Sequence, residues 1–561
     1  MMRRAGSTSH ARIRRGCSLV AALAAVAAVP QPTAAVHDPY PRREGIDVEA
    51  YRFELTLSDT VDAFTGRATV TVRFTQDGVA ALPLDLTGVQ ADGRGMTVTA
   101  VTAEGRPLTF THVDDVLDIR LAEPSVAGSR AQIVIDYHGT PTTGLHIGPN
   151  KHGERTWFSD NWPNRARAWL PTIDHVSDKA ANELVVVAPA HYQVVSNGLL
   201  VEETDRADGT RLTHWRNTVP IAPWLYVLGV ARFAVQHLDT VDGVPIQTWV
   251  YARDRDAGFY DFAVPTRAAM QYYQSYVGPY AYEKLANITS PVTGGGMEAA
   301  SAIMYHEDAV TGERTTRWRN VIIHEIAHQW FGNAVTESDW DDVWLSEGFA
   351  TYFTLLFIEH AYGRDEFVDG LRSAAERVWA WYDENPDYRI VHDNLDDMGR
   401  VTSIATYQKG AWVLHMLRKR LGDEAFHEGI RRYYARFYNA NATTLDFRQT
   451  IEEASGQDLE VFFEQWLYRG GNPRLEGAWW YDAARRAVVV ELRQTQAGAP
   501  FHLPLEVGIY SGGQRTPVRL ETVELTGREH RFELPVDAEP ADVRLDPGAW
   551  ALFRGGMERS R

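Results

Sequence analysis

The sequence predicts a multidomain α+β fold: a β-rich domain over 36–250, a mainly helical domain over 251–470 and a small β-sandwich over 471–561. Three observations predict it. From residue 45 to about 250, short segments alternate apolar with polar side chains, the period of half-buried strands. After about residue 255 the apolar spacing lengthens to that of helices. Near residue 471 the strand pattern returns. A chain of 561 residues has room for several domains and large cores.

The first 35 residues read as an export signal. Arg12, Arg14 and Arg15 precede the apolar run "LVAALAAVAAV" (19–29), which is too short to span a bilayer. "PTAA" then offers a small-residue cleavage site ending at Ala35. The mature chain is expected to begin near Val36 and to be periplasmic or secreted. The only cysteine, Cys17, lies inside that signal. The exported chain therefore has no cysteine nucleophile, no cysteine metal ligand and no disulfide. A formal net charge of −18 argues against nucleic acid and anionic membrane as partners.

In the β-rich region "YRFELTLSD" (51–59), "GRATVTVRF" (66–74), "MTVTAVTAEG" (96–105), "RAQIVIDYHG" (130–139) and "NELVVVAP" (182–189) read as strands of a large antiparallel sheet assembly. Helical spacing covers 258–278, 315–333, 345–362, 403–421, 423–438 and 444–468. The C-terminal strands are "RRAVVVELRQTQ" (485–496), "FHLPLEVGIY" (501–510), "TPVRLETVEL" (516–525) and "REHRFELPV" (528–536).

The chemistry is concentrated in the helical region. "VIIHEIAHQWFGN" (321–333) places His324 and His328 four residues apart on one helix face, with Glu325 beside them. Eighteen residues separate His328 from Glu347 in "VWLSEGFATYF", enough for a turn and a second helix. Two His and one Glu make a three-ligand site for one zinc ion, leaving a position for water. Glu325 is then the expected general base. "ESDWDD" (337–342) in the connection is expected to cap the following helix. "TSIATYQKGAWVLHML" (402–417) offers Tyr407 as an oxyanion donor, although a lone Tyr at such a place is commonly core.

The glycine run in "PVTGGGMEAAS" (291–301) suggests a phosphate loop at first. Glu298 would repel a phosphate, and no strand–glycine–helix unit with a following acidic residue accompanies the run.

Together these motifs resemble the aminopeptidase N family of zinc peptidases, gluzincins that include leukotriene hydrolase-like enzymes. "GPYAYEKLANI", "GGGMEAAS", "HEIAHQWFGN", "WLSEGFA", "ATYQKGA" and "FFEQWLYRGGNP" follow that family's order and spacing. "RAWLPTIDHVSDKA" and "VVSNG" resemble its N-terminal domain. The resemblance implies a saddle-shaped antiparallel β-domain, a thermolysin-like catalytic domain and a small β-sandwich, without the family's large C-terminal helical domain. It implies zinc on His324, His328 and Glu347, Glu325 as base and Tyr407 on the oxyanion. It further implies that Gly295, Gly296 and Met297 pair with a peptide backbone while Glu298 binds the substrate's free α-amine.

Two positions depart from the pattern. Ala299 stands where the family has Asn. Trp162, flanked by Asp160 and Asn161, stands where the family has a second amine anchor. The expected activity is hydrolysis of the N-terminal peptide bond of peptides. The alternatives are a broader peptidase with endopeptidase action and a catalytically silent binding protein on the same fold.

Overall fold

The computed structural model describes residues 38–392 and 398–560. The expected export signal lies outside them. No helix among the described residues is long and apolar enough to cross a membrane.

The N-terminal part is built on an eight-stranded sheet. Its order is 199–205, 210–221, 180–189, 46–56, 64–74, 130–140, 95–103 and 106–107. Burial alternates along Phe64–Phe74, with Phe64, Ala68, Val70, Val72 and Phe74 facing inward, so the period of two read in the sequence is the period of the pleat. One pairing departs from the antiparallel expectation: 50–56 runs parallel to 181–187, with Ala50 opposite Ala181. Parallel neighbours need a long crossover, and the residues between 56 and 180 supply it.

A five-stranded sheet leads into the helical part. Its order is 233–241, 244–251, 285–290, 302–306 and 296–297. Leu285–Ser290 is buried throughout, as a central strand covered on both faces should be. The two-residue strand Gly296–Met297 pairs antiparallel with Tyr305 and Met304 and forms the sheet's edge.

The helices are α1 (Arg255–Tyr276), α2 (Thr316–His328), α3 (Trp344–Tyr362), α4 (Arg364–Glu384), α5 (Gly410–Leu421), α6 (Asp423–Arg436), α7 (Thr444–Ser455) and α8 (Glu460–Leu467). Three of these differ from the expected set. The helix expected over 444–468 is two helices: a Thr443/Asp446 capping box starts α7, and Gly456 in the left-handed conformation ends it. Helix α4 was not among the expected helices, although its buried residues Phe367, Leu371, Ala374, Ala375, Val378 and Tyr382 recur at helical spacing. A Cβ at Gly370 would meet Leu355 Cδ2 of α3 at 2.5 Å, so the two helices approach closely there and the leucine side chain would have to shift. The acidic run 337–342 does not cap α3 as expected. The N-cap position is Val343, which makes no side-chain cap bond, and Asp342 instead accepts from Thr444 Oγ1 at 2.6 Å.

The C-terminal part is two facing sheets, ordered 529–535, 487–494, 474–482, 554–559 and 519–525, 503–510, 542–545. It is tied to α5 through Trp550, whose ring stacks on His415 at 4.7 Å, while His415 Nε2 meets Ala549 O at 2.9 Å.

Two lysines are fully buried without a carboxylate partner. Lys284 Nζ donates to Ser196 O at 2.8 Å, and Lys409 Nζ to Gly471 O at 2.9 Å. Burial pushes both ammonium groups down to about 7, helped at Lys409 by Arg469. In the unfolded chain both titrate near 10.5. Between those values the unfolded chain binds more protons, so the cost of burying charge is relieved as pH rises. Each lysine contributes a slope of at most ~1.4 kcal/mol per pH unit. The urea midpoint is expected to rise from pH 8 to pH 9.5. It should rise less in Lys284→Met, and an equal slope in that variant would contradict the assignment.

Candidate zinc site

Helix α2 buries Trp318, Ile322, Ile323, Ile326 and Ala327 against the core, which turns His324, Glu325 and His328 toward one cleft. Helix α3 is apolar nearly all round and buried along most of its length, and it brings Glu347 to the same cleft from its first turn. The three proposed ligands converge. His324 Nε2 and His328 Nε2 are 3.1 Å apart, and Glu347 Oε2 lies 3.4 Å and 3.2 Å from them. Tetrahedral zinc with bonds near 2.0–2.1 Å sets its ligand atoms about 3.3 Å apart. Glu347 Oε2 is buried with no hydrogen-bond partner, as a ligand oxygen reserved for a cation would be. The donor set and its spacing fit one zinc ion held by His324, His328 and Glu347.

The supporting contacts were not visible in the sequence. His328 Nδ1 faces Phe331 O at 3.1 Å and Ser346 Oγ at 3.0 Å. A proton on Nδ1 leaves the Nε2 lone pair free for metal. Ser346 precedes the ligand Glu347, so one helix turn supplies a ligand and the brace of another. Glu347 divides its two oxygens: Oε2 faces the histidines, and Oε1 accepts from the Tyr407 phenol at 2.5 Å. Tyr407 stands on a short π-helical turn, Ala405–Lys409, leading into α5, and its ring stacks over His324 at 6.2 Å. Such bulges recur at functional sites because they re-aim a side chain within a helix.

Glu298 stands just past the edge strand, buried, with Oε1 unpartnered and 3.8 Å from His328 Nε2. Its backbone is fixed by residues the sequence reading did not single out. Glu298 O accepts from Gln329 Nε2 at 2.9 Å and from Asn333 Nδ2 at 2.7 Å. Gln329 Oε1 also receives Ser301 N at 2.9 Å. The "VVSNG" segment reaches the same turn, with Asn197 Nδ2 on Ala300 O at 2.7 Å. Gly295 O accepts from His306 N at 2.8 Å, Met297 is buried behind the strand, and Gly296 faces Glu325. A Cβ on Gly296 would lie 2.3 Å from Glu325 Cδ.

Trp162 is not in the cleft. It packs edge-on against Trp224 and Trp340 at 4.8 Å and 5.0 Å. Asn161 is spent on Tyr226 O and Trp169 Nε1, and Asp160 pairs with Arg165 at 2.6 Å.

The charges in this cleft ask for cations. Burial pushes the Glu325 carboxyl well above its usual range, with Glu298 adding to the rise, and pushes Glu298 up to about 7. Burial would lower His328, but Glu298 and Glu347 overcome it and hold the imidazole up at about 10. Burial likewise opposes ionisation of Glu347, and His328 overrides it and holds that carboxyl at about 2. Both opposed shifts have one cause: the carboxylates recruit positive charge to the point where the zinc ligands meet.

A strand-edge cleft over a two-His, one-Glu site on two helices is the architecture of a zinc metallopeptidase. Residues 48–225 match the Peptidase M1 N-terminal domain, and residues 260–466 match the Peptidase family M1 domain. The chain thus has the fold and domain architecture of the M1 family of zinc peptidases. It is 29% identical over 330 residues to the glutamyl aminopeptidase of Mus musculus, a match covering 56% of this chain and 34% of that protein. It is 27% identical over 454 residues to aminopeptidase M1-A of Oryza sativa subsp. japonica, covering 75% of this chain and 50% of that one. The chain thus spans about a third to a half of the length of these curated relatives. The crystal structure of an M1 zinc metallopeptidase from Deinococcus radiodurans superposes with a TM-score of 0.65 at 26% identity, covering 75% of this chain and 93% of that one.

Proposed function

We propose that the chain is an exported zinc aminopeptidase that removes the N-terminal residue from peptides. The observation that carries this reading is Glu298, a buried carboxylate at the end of an open strand edge, whose Oε1 accepts no hydrogen bond and lies 3.8 Å from His328 Nε2. A peptide adding to the Gly296 edge would be held by its backbone, and its free amine would meet Glu298. Zinc on His324, His328 and Glu347 would polarise the scissile carbonyl and ease deprotonation of a water. Glu325 then takes the proton from the attacking water and returns it to the leaving nitrogen. Tyr407, beside Glu347 Oε1, donates its O–H to the carbonyl oxygen as that oxygen gains charge. Export is supported by the sequence of the first 35 residues.

The broader-peptidase reading has one observation in its favour: Trp162 packs among tryptophans, so Glu298 reads the amine without help from that position. A peptide and its N-acetylated twin separate the two. The free peptide should be cleaved far faster, and a chelator should abolish both rates. Equal cleavage of the twins would leave the broader reading standing. Glu298→Ala should lose roughly tenfold to a hundredfold in kcat/KM on the free peptide, the worth of a charge-assisted contact, and much less on the blocked one.

A further inference from the structure

The zinc cleft, of about 520 Å³, continues beyond the metal ligands. Helix α3 lines it with Glu347, Thr351, Thr354, Leu355 and Ile358, one face of a helix at spacings of three and four. That face runs about 16 Å along the helix axis. Its far wall is α4, which contributes Gly370 and Arg377, seven residues apart and on one face. Arg377 is the only Lys or Arg among the residues lining the cleft.

Arg377 has no assigned partner. The other arginines of α4 are engaged, Arg364 with Glu359 at 2.6 Å and Arg372 with Asp369 at 3.9 Å. Arg377 is exposed and makes no ion pair among the described residues. Its helix neighbours at three and four residues are Ser373, Ala374, Ala380 and Trp381, so no carboxylate of α4 stands one turn from it on the same face.

The helix pairing places Arg377 along the cleft. Helices α3 and α4 are antiparallel about Gly363, and the direction of a Cβ at Gly370 meets Leu355. Seven residues onward on α4 and seven back on α3 bring Arg377 level with Gly348, next to the ligand Glu347. Helix α4 also packs on the turn that carries Tyr407. Arg377 lines the same cleft as Glu298 and the three candidate ligands, and its long side chain together with an extended peptide advancing roughly 3.5 Å per residue brings groups one or two residues beyond the cleaved bond within its range.

We propose that Arg377 is a specificity-determining residue that binds a carboxylate just downstream of the cleaved bond. The proposal rests on the aminopeptidase reading for direction. Glu298 reads the positive end of the substrate, and Arg377 reads a negative group on the other side of the scissile bond. Two sources have this chemistry: the terminal carboxylate of a dipeptide or tripeptide, and an Asp or Glu side chain in a longer peptide. Both make a planar bidentate pair with arginine.

Matched substrates distinguish the sources. One arm compares a dipeptide and a tripeptide with their C-terminal amides. The other compares amidated longer peptides carrying Asp or Asn as the second residue. In at least one arm the carboxylate form should have a kcat/KM roughly tenfold or more higher, and Arg377→Ala should bring that ratio close to one. Arg377→Lys should restore part of it. The same ratios are read as affinities by calorimetry on zinc-loaded Glu325→Gln protein, which needs no turnover. Absence of cleavage with the affinity ratio intact would sink the aminopeptidase reading and keep the Arg377 assignment. No carboxylate preference in either arm, or a preference unchanged by Arg377→Ala, would overturn the assignment.

Discussion

Glu325→Gln is expected to keep its zinc and its fold while losing roughly 10²–10⁴-fold in kcat, the usual contribution of a general base. The expectation follows from where Glu325 stands. It shares α2 with both histidine ligands, yet the metal trio is His324, His328 and Glu347, whose ligand atoms lie 3.1–3.4 Å apart without it. Glutamine has the same shape, so α2 and its apolar face are undisturbed. What is lost is the capacity to take a proton. Metal content per chain, thermal midpoint and kcat on a free-amine peptide together decide it. Full zinc occupancy with unchanged kcat would remove Glu325 from the proton transfer. Loss of zinc would instead make it part of the binding site.

The ligand residues were legible because their chemistry imposes a spacing. His324 and His328 must be four apart to meet on one helix face, and Glu347 needs its own helix at a turn's distance. Strand 64–74 was legible for a similar reason, since its inward residues follow the period of the pleat. What supports the site was not legible. Ser346, Gln329 and Asn333 act through single hydrogen bonds between segments that only the fold brings together. No local pattern marks such residues. Arg377 is the same case, an ordinary helix arginine until α4 packs beside the cleft. The acidic run before α3 misled for the converse reason. Its composition suits a cap, but tertiary partners such as Thr444 claim Asp342 first.

Gly296→Ala is expected to cost activity nearly as severely as loss of the base, and through the same carboxylate. Backbone conformation is not the reason; Gly296 is an ordinary strand residue paired with Tyr305. The reason is proximity. A single methyl at Gly296 would stand 2.3 Å from Glu325 Cδ, Cγ and Oε1 alike, far inside van der Waals contact. The Glu325 side chain is buried, so it must leave its place or push the edge strand outward. Either movement separates base, edge and zinc ligands, and misplacement by about 1 Å can cost on the order of 10²-fold. Zinc affinity should be kept, because the three ligands are untouched. The double variant tests the shared route. If Gly296→Ala acts by displacing Glu325, it should add little in the Glu325→Gln background, where there is no base left to misplace. Full multiplication of the two losses would mean that the methyl acts elsewhere, on the pairing of the peptide with the Gly296 edge, and the KM of each single variant would then carry the difference.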